Sequence, residues 1–432
     1  MASTYLTRTP SSAGNGNTWT FSTWVKRSGL STTQFLIGSS TSSSDFEDIR
    51  FNANTGDLSY NKYVSTKQWG FDSNTYLRDV NGWYHVVVNR SGTTMNYYLN
   101  GVAQTRINEV TSTSTGDFNT TDELRIGSRP DSSLYFDGSM SHVHWIDGTA
   151  YDASAFGQYD ANGVWTIKTS PSVTYGTNGF FILKDGNSVT DQSGNGNNFT
   201  VAGGTLTNTE DNPSNVFATL NPLINVPNQT YANGNTKCTD NDGSHKSNYA
   251  TLGFSSGKYY WEAKAVGGTK YTIGLSDAEN QSAYQQVTAT NLIVGNSANS
   301  YLQGDAIGWY FDTLNKNGSA VASGIHTIVT NDIMMIACDA DNGKIYYGVN
   351  GTWRVANSTT FNSADNDTTF TTGKAYTPAF SAENCGWETN FGNGYFGTTA
   401  VASAGTNASG IGIFEYDVPT GYTALSTKGL NL

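Results

Sequence analysis

Along the first half of the chain, short runs that alternate apolar and polar positions are separated by Gly, Asn and Ser, which is the period of a β-strand. Trp19 to Arg27 (WTFSTWVKR) is one such run. Trp83 to Asn89 (WYHVVVN) turns through Ser91, Gly92 and Thr93 into Met95 to Leu99 (MNYYL), and Asn100-Gly101 then supplies the positive-φ residues of a tight hairpin. Leu124 to Ser128 (LRIGS) and Phe136 to Asp147 (FDGSMSHVHWID) follow. In the last run Met140, Val143 and Trp145 change phase once, which predicts a β-bulge.

The pattern thins between about Asp185 and Pro222 and resumes at Lys258 to Val266 (KYYWEAKAV), Tyr271 to Leu275, Asp305 to Asp312, Ile333 to Asp339 and Lys344 to Val349. Tyr376 to Ser381 and Trp387 to Gly392 complete the set. Strands this short and regularly spaced predict an all-β protein of two antiparallel β-sandwiches in tandem. The expected boundaries are a first sandwich at 1–185, a linker at 186–225 and a second sandwich at 226–432. No repeat of 20 to 50 residues appears, which disfavours propellers and solenoids.

Composition narrows the class. Of 432 residues only 13% are charged, against about a quarter in typical domains, while aromatics reach 13% and Gly numbers 47. Solubility must therefore rest on Ser, Thr, Asn and Gly. The net charge of −12 and the lack of Lys/Arg clusters argue against nucleic acid as a partner. No apolar stretch approaches the ~20 residues of a membrane span, and Met1 to Pro10 has no apolar signal core, so no membrane insertion and synthesis in the cytoplasm are expected. Cys238, Cys338 and Cys385 form no CxxC pair and read as buried small apolar residues. A particle assembled in cytoplasm and released by lysis would combine a secreted-looking surface with such cysteines.

The order TFSTWVKR, LRDVNGWYHVVVNR, YYLNGV, ELRIGS and FDGSMSHVHWIDGTAYDASAFG, over about residues 5 to 165, resembles the laminin-G-like, concanavalin-A-like jelly rolls. GKYYWE at 257 to 262, YTIGLS at 271 to 276, GDAIGWYFD at 304 to 312 and DNGKIYYGVNGTW at 341 to 353 resemble a SPRY domain. YLTRTPSSAGN, YGTNGFF, DQSGNGNNFT, FATLNPL and FEYDVPTGYTAL together resemble virion proteins of marine tailed bacteriophages, as tail fibre or capsid decoration. That resemblance implies localisation on a virion, other virion proteins as partners, a homo-oligomer, and a host cell-surface glycan as ligand.

Candidate chemistry is sparse. Glycoside hydrolysis needs two carboxylates across the scissile bond. Glu47-Asp48 are adjacent and face opposite sides of any strand, while Glu109, Glu123 and Glu262 are isolated. Nucleophilic Ser or Cys chemistry is not expected. His142 and His144, two apart, read as part of a polar outer sheet face, and His85 as a strand residue bonded to its neighbours. Calcium is the ion that fits this composition, with Asp240 and Asp242 as candidate ligands; Asp339-x-Asp341-x-Gly343 and Asp191 read as turn residues.

Sugars stack on exposed aromatic rings. Tyr60, Tyr63, Trp69 and Phe71 lie among Asn, Ser, Thr and Lys in what reads as a long loop, and they are the candidate glycan platform; Trp261, Trp309 and Trp353 read as core. The expectation is a virion surface protein without catalytic activity, with lectin-like domains for host attachment strengthened by avidity. The alternatives are a polysaccharide depolymerase and a purely structural capsid decoration protein.

Overall fold

The computed structural model describes residues 3–42, 44–184, 186, 188–224, 228–241, 243–280, 294–295, 305–354, 361 and 367–432. The chain is all-β and divides into two units, Met1–Asn208 and Thr209–Leu432.

The first unit is a sandwich of two antiparallel sheets. One has eight strands in the order Arg106–Val110, Thr66–Tyr76, Asp57–Val64, Asp45–Phe51, Gln34–Ser42, Leu124–Ile126, Tyr5–Arg8 and Thr200–Gly203. The other has six, in the order Phe180–Ile182, Gly138–Asp147, Thr18–Arg27, Tyr84–Ser91, Thr94–Leu99 and Val102–Ala103. Alternation turns Trp19, Phe21 and Val25 of one strand into the core between the sheets, where Trp19 stacks on Trp145 at 4.9 Å. On the eight-stranded sheet Leu6, Ile126, Ile37, Ile49, Tyr60 and Phe71 face one another in a single cross-strand row and supply the other wall. Asn100 (φ 47°) and Gly101 (φ 83°) make the hairpin turn, where both positions need the left-handed conformation.

The phase change in Gly138–Asp147 is a bulge: its register against Thr18–Arg27 shifts between Ser141 and His144, and His142 has φ 49°. The outer face of the six-stranded sheet is not polar, as His142 and His144 suggested. A second apolar cluster, with Phe156, Trp165 and Tyr175, covers it, and His144 is buried against Phe181 at 4.0 Å.

Residues 186–225 are not a linker. Thr200–Gly203 pairs with Tyr5–Arg8, and Phe199 is buried in the first core. Phe217 and Leu220 are buried in the second unit, so the division falls between Asn208 and Thr209. The segment 188–199 escapes periodicity because side chains hold its backbone. Asp191 accepts from the N–H groups of Phe181, Ser193 and Asn197, and Asn195 and Asn197 donate to the carbonyls of Gly176, Thr177 and Gly179.

The second unit is also a sandwich. Its larger sheet runs Gln229–Ala232, Lys237–Asp240, Gly386–Asn390, Lys258–Val266, Ile333–Asp339, Lys344–Val349 and Thr352–Trp353. The smaller runs Lys246–Tyr249, Tyr376–Glu383, Lys270–Asp277, Ile307–Tyr310, Thr313–Lys316 and Ser319–Ala322. Trp261 and Trp309 lie in the core between them, whereas Trp353 packs in a separate cluster with Tyr260, Phe414 and Tyr422. Cys238, Cys338 and Cys385 are buried thiols. Among the described residues no helix is long and apolar enough to cross a membrane.

Candidate functional site

The four aromatic candidates do not lie on a loop. Tyr60 and Tyr63 belong to Asp57–Val64, and Trp69 and Phe71 to Thr66–Tyr76. Tyr60 and Phe71 are fully buried cross-strand partners, and Trp69 is 5% exposed in the same core. These three offer no ring to a ligand, which corrects their assignment as a glycan platform. Tyr63 faces the other side of the sheet and is half-buried, stacked on Phe46 at 5.1 Å, with the Arg50 guanidinium 5.7 Å from its ring centroid. The Arg129 guanidinium lies 4.8 Å from the Phe46 ring centroid, so both rings already have cationic and aromatic neighbours.

Two residues along from the apolar row, a second row crosses the eight-stranded sheet on the same inward face: Arg8, Leu124, Ser39, Glu47, Lys62 and Trp69. This row is mostly polar, and it closes one end of the sandwich. Trp69 Nε1 donates to the Tyr60 hydroxyl (3.2 Å), which donates to Glu47 Oε1 (2.6 Å). Glu47 Oε2 accepts from Phe118 N (2.8 Å), and burial pushes the carboxyl up to about 7. Lys62 Nζ lies 2.5 Å from Asp117 Oδ1 and also binds Asp45.

The segment around Asp117 to Asp122 caps this end. Asn119 accepts from Trp145 Nε1 (2.7 Å) and donates to Asn15 O (2.9 Å) and Asp147 Oδ1 (3.1 Å), which anchors the cap to three other segments. Thr120 Oγ1 donates to Asp122 Oδ2 (2.7 Å) and receives the Asp122 N–H (3.1 Å).

Between the cap and the sheet lies a solvent-open pocket lined by Arg8, Ser39, Asp117, Thr120, Asp122 and Trp145. The pocket as a whole has room for about one water-sized group. Three of the lining residues carry buried atoms, Arg8 Nη1, Ser39 Oγ and Asp117 Oδ2, that have no hydrogen bond from the described residues. Such groups are costly to leave unmet; they comprise a donor, an acceptor and a hydroxyl that can serve as either, and a ligand reaches them only if the side chains at the pocket wall shift. A ligand hydroxyl has the same dual character.

Ser22 and His85 look like a nucleophile and its base but are wired the opposite way. Trp165 Nε1 donates to His85 Nδ1 (3.0 Å), so the neutral ring carries its proton on Nε2 and donates to Ser22 Oγ (3.0 Å). Burial holds this imidazole down to about 3, and at 1% exposure it has no route to a substrate. Its role is to tie the Trp165 segment to the sheet.

Asp240, at the end of Lys237–Asp240, is buried; Asp242 lies outside the described residues. Among the described residues no three His, Cys, Asp or Glu side chains converge as a metal site. Asp339 accepts from Asn342 N (3.0 Å) and Lys258 Nζ (3.1 Å), and Asp191 from Ser193 N (2.8 Å), so both act as turn residues.

A family model, Laminin_G_3 of the concanavalin A-like lectin/glucanases superfamily, matches residues 2–154. No curated protein matches the chain. Among solved structures it is similar to the SPRY domain of human HERC1, at 16% identity over 39% of this chain and 96% of that one, TM-score 0.27. It is also similar to a heptameric SAP-like pentraxin from Limulus polyphemus, at 18% identity over 34% of this chain and 71% of that one, TM-score 0.27. A third is domain 4 of AbnA, an extracellular arabinanase from Geobacillus stearothermophilus solved with arabinotriose, at 16% identity over 33% of this chain and 67% of that one, TM-score 0.27.

Sequence reasoning missed the pocket because Arg8, Ser39, Asp117 and Trp145 are far apart along the chain. The only local signal is Thr120-x-Asp122, a side-chain-locked turn.

Proposed function

We propose that the first sandwich is a glycan-binding module of a virion surface protein, and that it binds without cleaving. The observation that carries this reading is the end pocket, where Arg8 Nη1, Ser39 Oγ and Asp117 Oδ2 retain hydrogen-bonding capacity beside the partly exposed Asp122. The match of residues 2–154 to a superfamily described by lectins and glucanases supports a sugar as the ligand. A pocket of this size takes one hydroxyl of a glycan, with a neighbouring hydroxyl on the partly exposed Asp122. Contact of that extent is weak, and display in many copies on a particle converts it into firm attachment.

The depolymerase reading draws on one observation: Asp117 and Asp122 line the same pocket. Against it, hydrolysis requires a glycosidic bond with a sugar on either side to sit between the two carboxyls, and the pocket admits only a small group. Asp117 is moreover held by Lys62. The full chain is therefore expected to be retained on immobilised host surface polysaccharide and to release no reducing sugar from it. Steady release lost in Asp122→Asn would replace binding by catalysis as the function.

A further inference from the structure

We infer that Lys62 and Asp117 join through their side chains in an intramolecular amide bond, a covalent strap between the Asp57–Val64 strand and the loop that caps the pocket. Lys62 is 4% exposed and Asp117 7%, an unusual depth for a lysine at the end of a core strand, and Nζ lies 2.5 Å from Asp117 Oδ1. Three features make this more than an ion pair. Asp117 Oδ2 is buried and accepts no hydrogen bond from the described residues, so one carboxyl oxygen is unengaged among them. Asp45 also contacts Lys62 Nζ, and its side chain, 33% exposed, places a proton acceptor on the nucleophile. Glu47, the cross-strand partner of Lys62, fixes the backbone beside Asp117: it accepts from Phe118 N at 2.8 Å and packs so closely on Gly116 that a side chain at that position would collide with it. Burial also raises the Asp117 carboxyl above the usual carboxylate range, while the hydrogen bonds and charges of Asp117 and Asp45 outweigh burial at Lys62 and raise its ammonium.

The chemistry balances without a co-reactant. A proton passes from the Lys62 ammonium to the Asp117 carboxylate, leaving an amine and a carboxylic acid. The amine lone pair attacks Asp117 Cγ. Asp45 takes a proton from the nitrogen of the adduct and returns it to the adduct's hydroxyl; the Cγ–O bond breaks, water leaves, and the amide remains. Holding the two groups in contact supplies the proximity that makes such a condensation intramolecular. Replacing a buried ion pair by a neutral amide also removes the cost of keeping two charges out of water. The bond would clamp the cap that carries Asn119, Thr120 and Asp122, and it does not depend on what the pocket binds.

Intact-mass spectrometry of the purified, denatured full chain tests this directly. The expected mass is lower than that of the sequence by one water, and tandem spectra of a digest should show a branched peptide joining Lys62 to Asp117. Lys62→Arg and Asp117→Ala should restore the full sequence mass, and Asp117→Asn should lose one ammonia instead of one water. A wild-type chain at full sequence mass would overturn the inference. So would a water loss that persists in Lys62→Arg, or a branch that maps to Asp45.

Discussion

Trp69→Ala is expected to cost the first sandwich about 3–5 kcal/mol, the usual loss when a large buried ring is removed from a core that cannot close around the gap. The ring is 5% exposed, its Nε1 donates to the Tyr60 hydroxyl at 3.2 Å, and the Arg90 guanidinium lies 4.9 Å from its centroid. Arg90 is held by the carbonyls of Gly92, Ser112 and Ser114 and cannot swing to fill the space. Truncation therefore leaves a cavity beside a buried cation. Denaturant unfolding of residues 1–208 would measure it, and a change below about 1 kcal/mol, the range of ordinary surface substitutions, would mean that Trp69 is not a core residue.

The second large effect is expected in the other sandwich. Glu262 is fully buried on the Lys258–Val266 strand, opposite in direction to Trp261, and it pins the carboxy-terminal segment. It accepts from Glu415 N and Tyr416 N at 2.9 Å each, from the Tyr260 hydroxyl at 2.9 Å and from Asn390 Nδ2 at 3.3 Å. Glu262→Ala orphans two backbone donors at about 1–3 kcal/mol each, so a loss of roughly 2–6 kcal/mol follows, with early exposure of residues 405–418 to hydrogen exchange. The loss also depends on pH. Burial pushes the carboxyl from an ordinary 4.5 up to about 7, so the folded state binds the proton more tightly than the unfolded chain. The stability contributed by Glu262 is then full below about pH 4.5 and is lost as pH rises through about 7. The gap between wild type and Glu262→Ala should accordingly be wider at about pH 5 than at about pH 8, and a gap that widens with pH would contradict this account.

What was legible in the sequence was whatever alternates. The strands at Trp19, Tyr84 and Lys258, the Asn100-Gly101 turn and the bulge beside Val143 all follow from period-two patterning and turn chemistry. What failed was the stretch from Asp57 to Tyr76. Its strands carry the inward polar row with Lys62, and their outward positions are polar as well, so Tyr60, Trp69 and Phe71 read as rings scattered in a loop. The segment 188–199 failed for a different reason: Asp191, Asn195 and Asn197 hold its backbone through side-chain bonds that leave no hydrophobic period. The pocket was invisible because register alone brings Arg8, Ser39 and Lys62 into one row, and an inward lysine becomes recognisable only once Asp45 and Asp117 are seen around it.

Titration of residues 1–208 with soluble host surface glycan, for wild type, Arg8→Ala and Asp122→Ala in parallel with their melting curves, tests the central claim most directly. Both side chains lie at the pocket rim and are only partly buried. Each substitution should therefore weaken binding about tenfold or more, the consequence of losing one or two ligand hydrogen bonds; Asp122→Ala should change folding stability by about 1 kcal/mol or less, whereas Arg8→Ala also loses the hydrogen bond to Asn197 and should cost roughly 1.5–3 kcal/mol. Glycan binding that is undiminished in both variants would contradict the account and place recognition elsewhere on the chain.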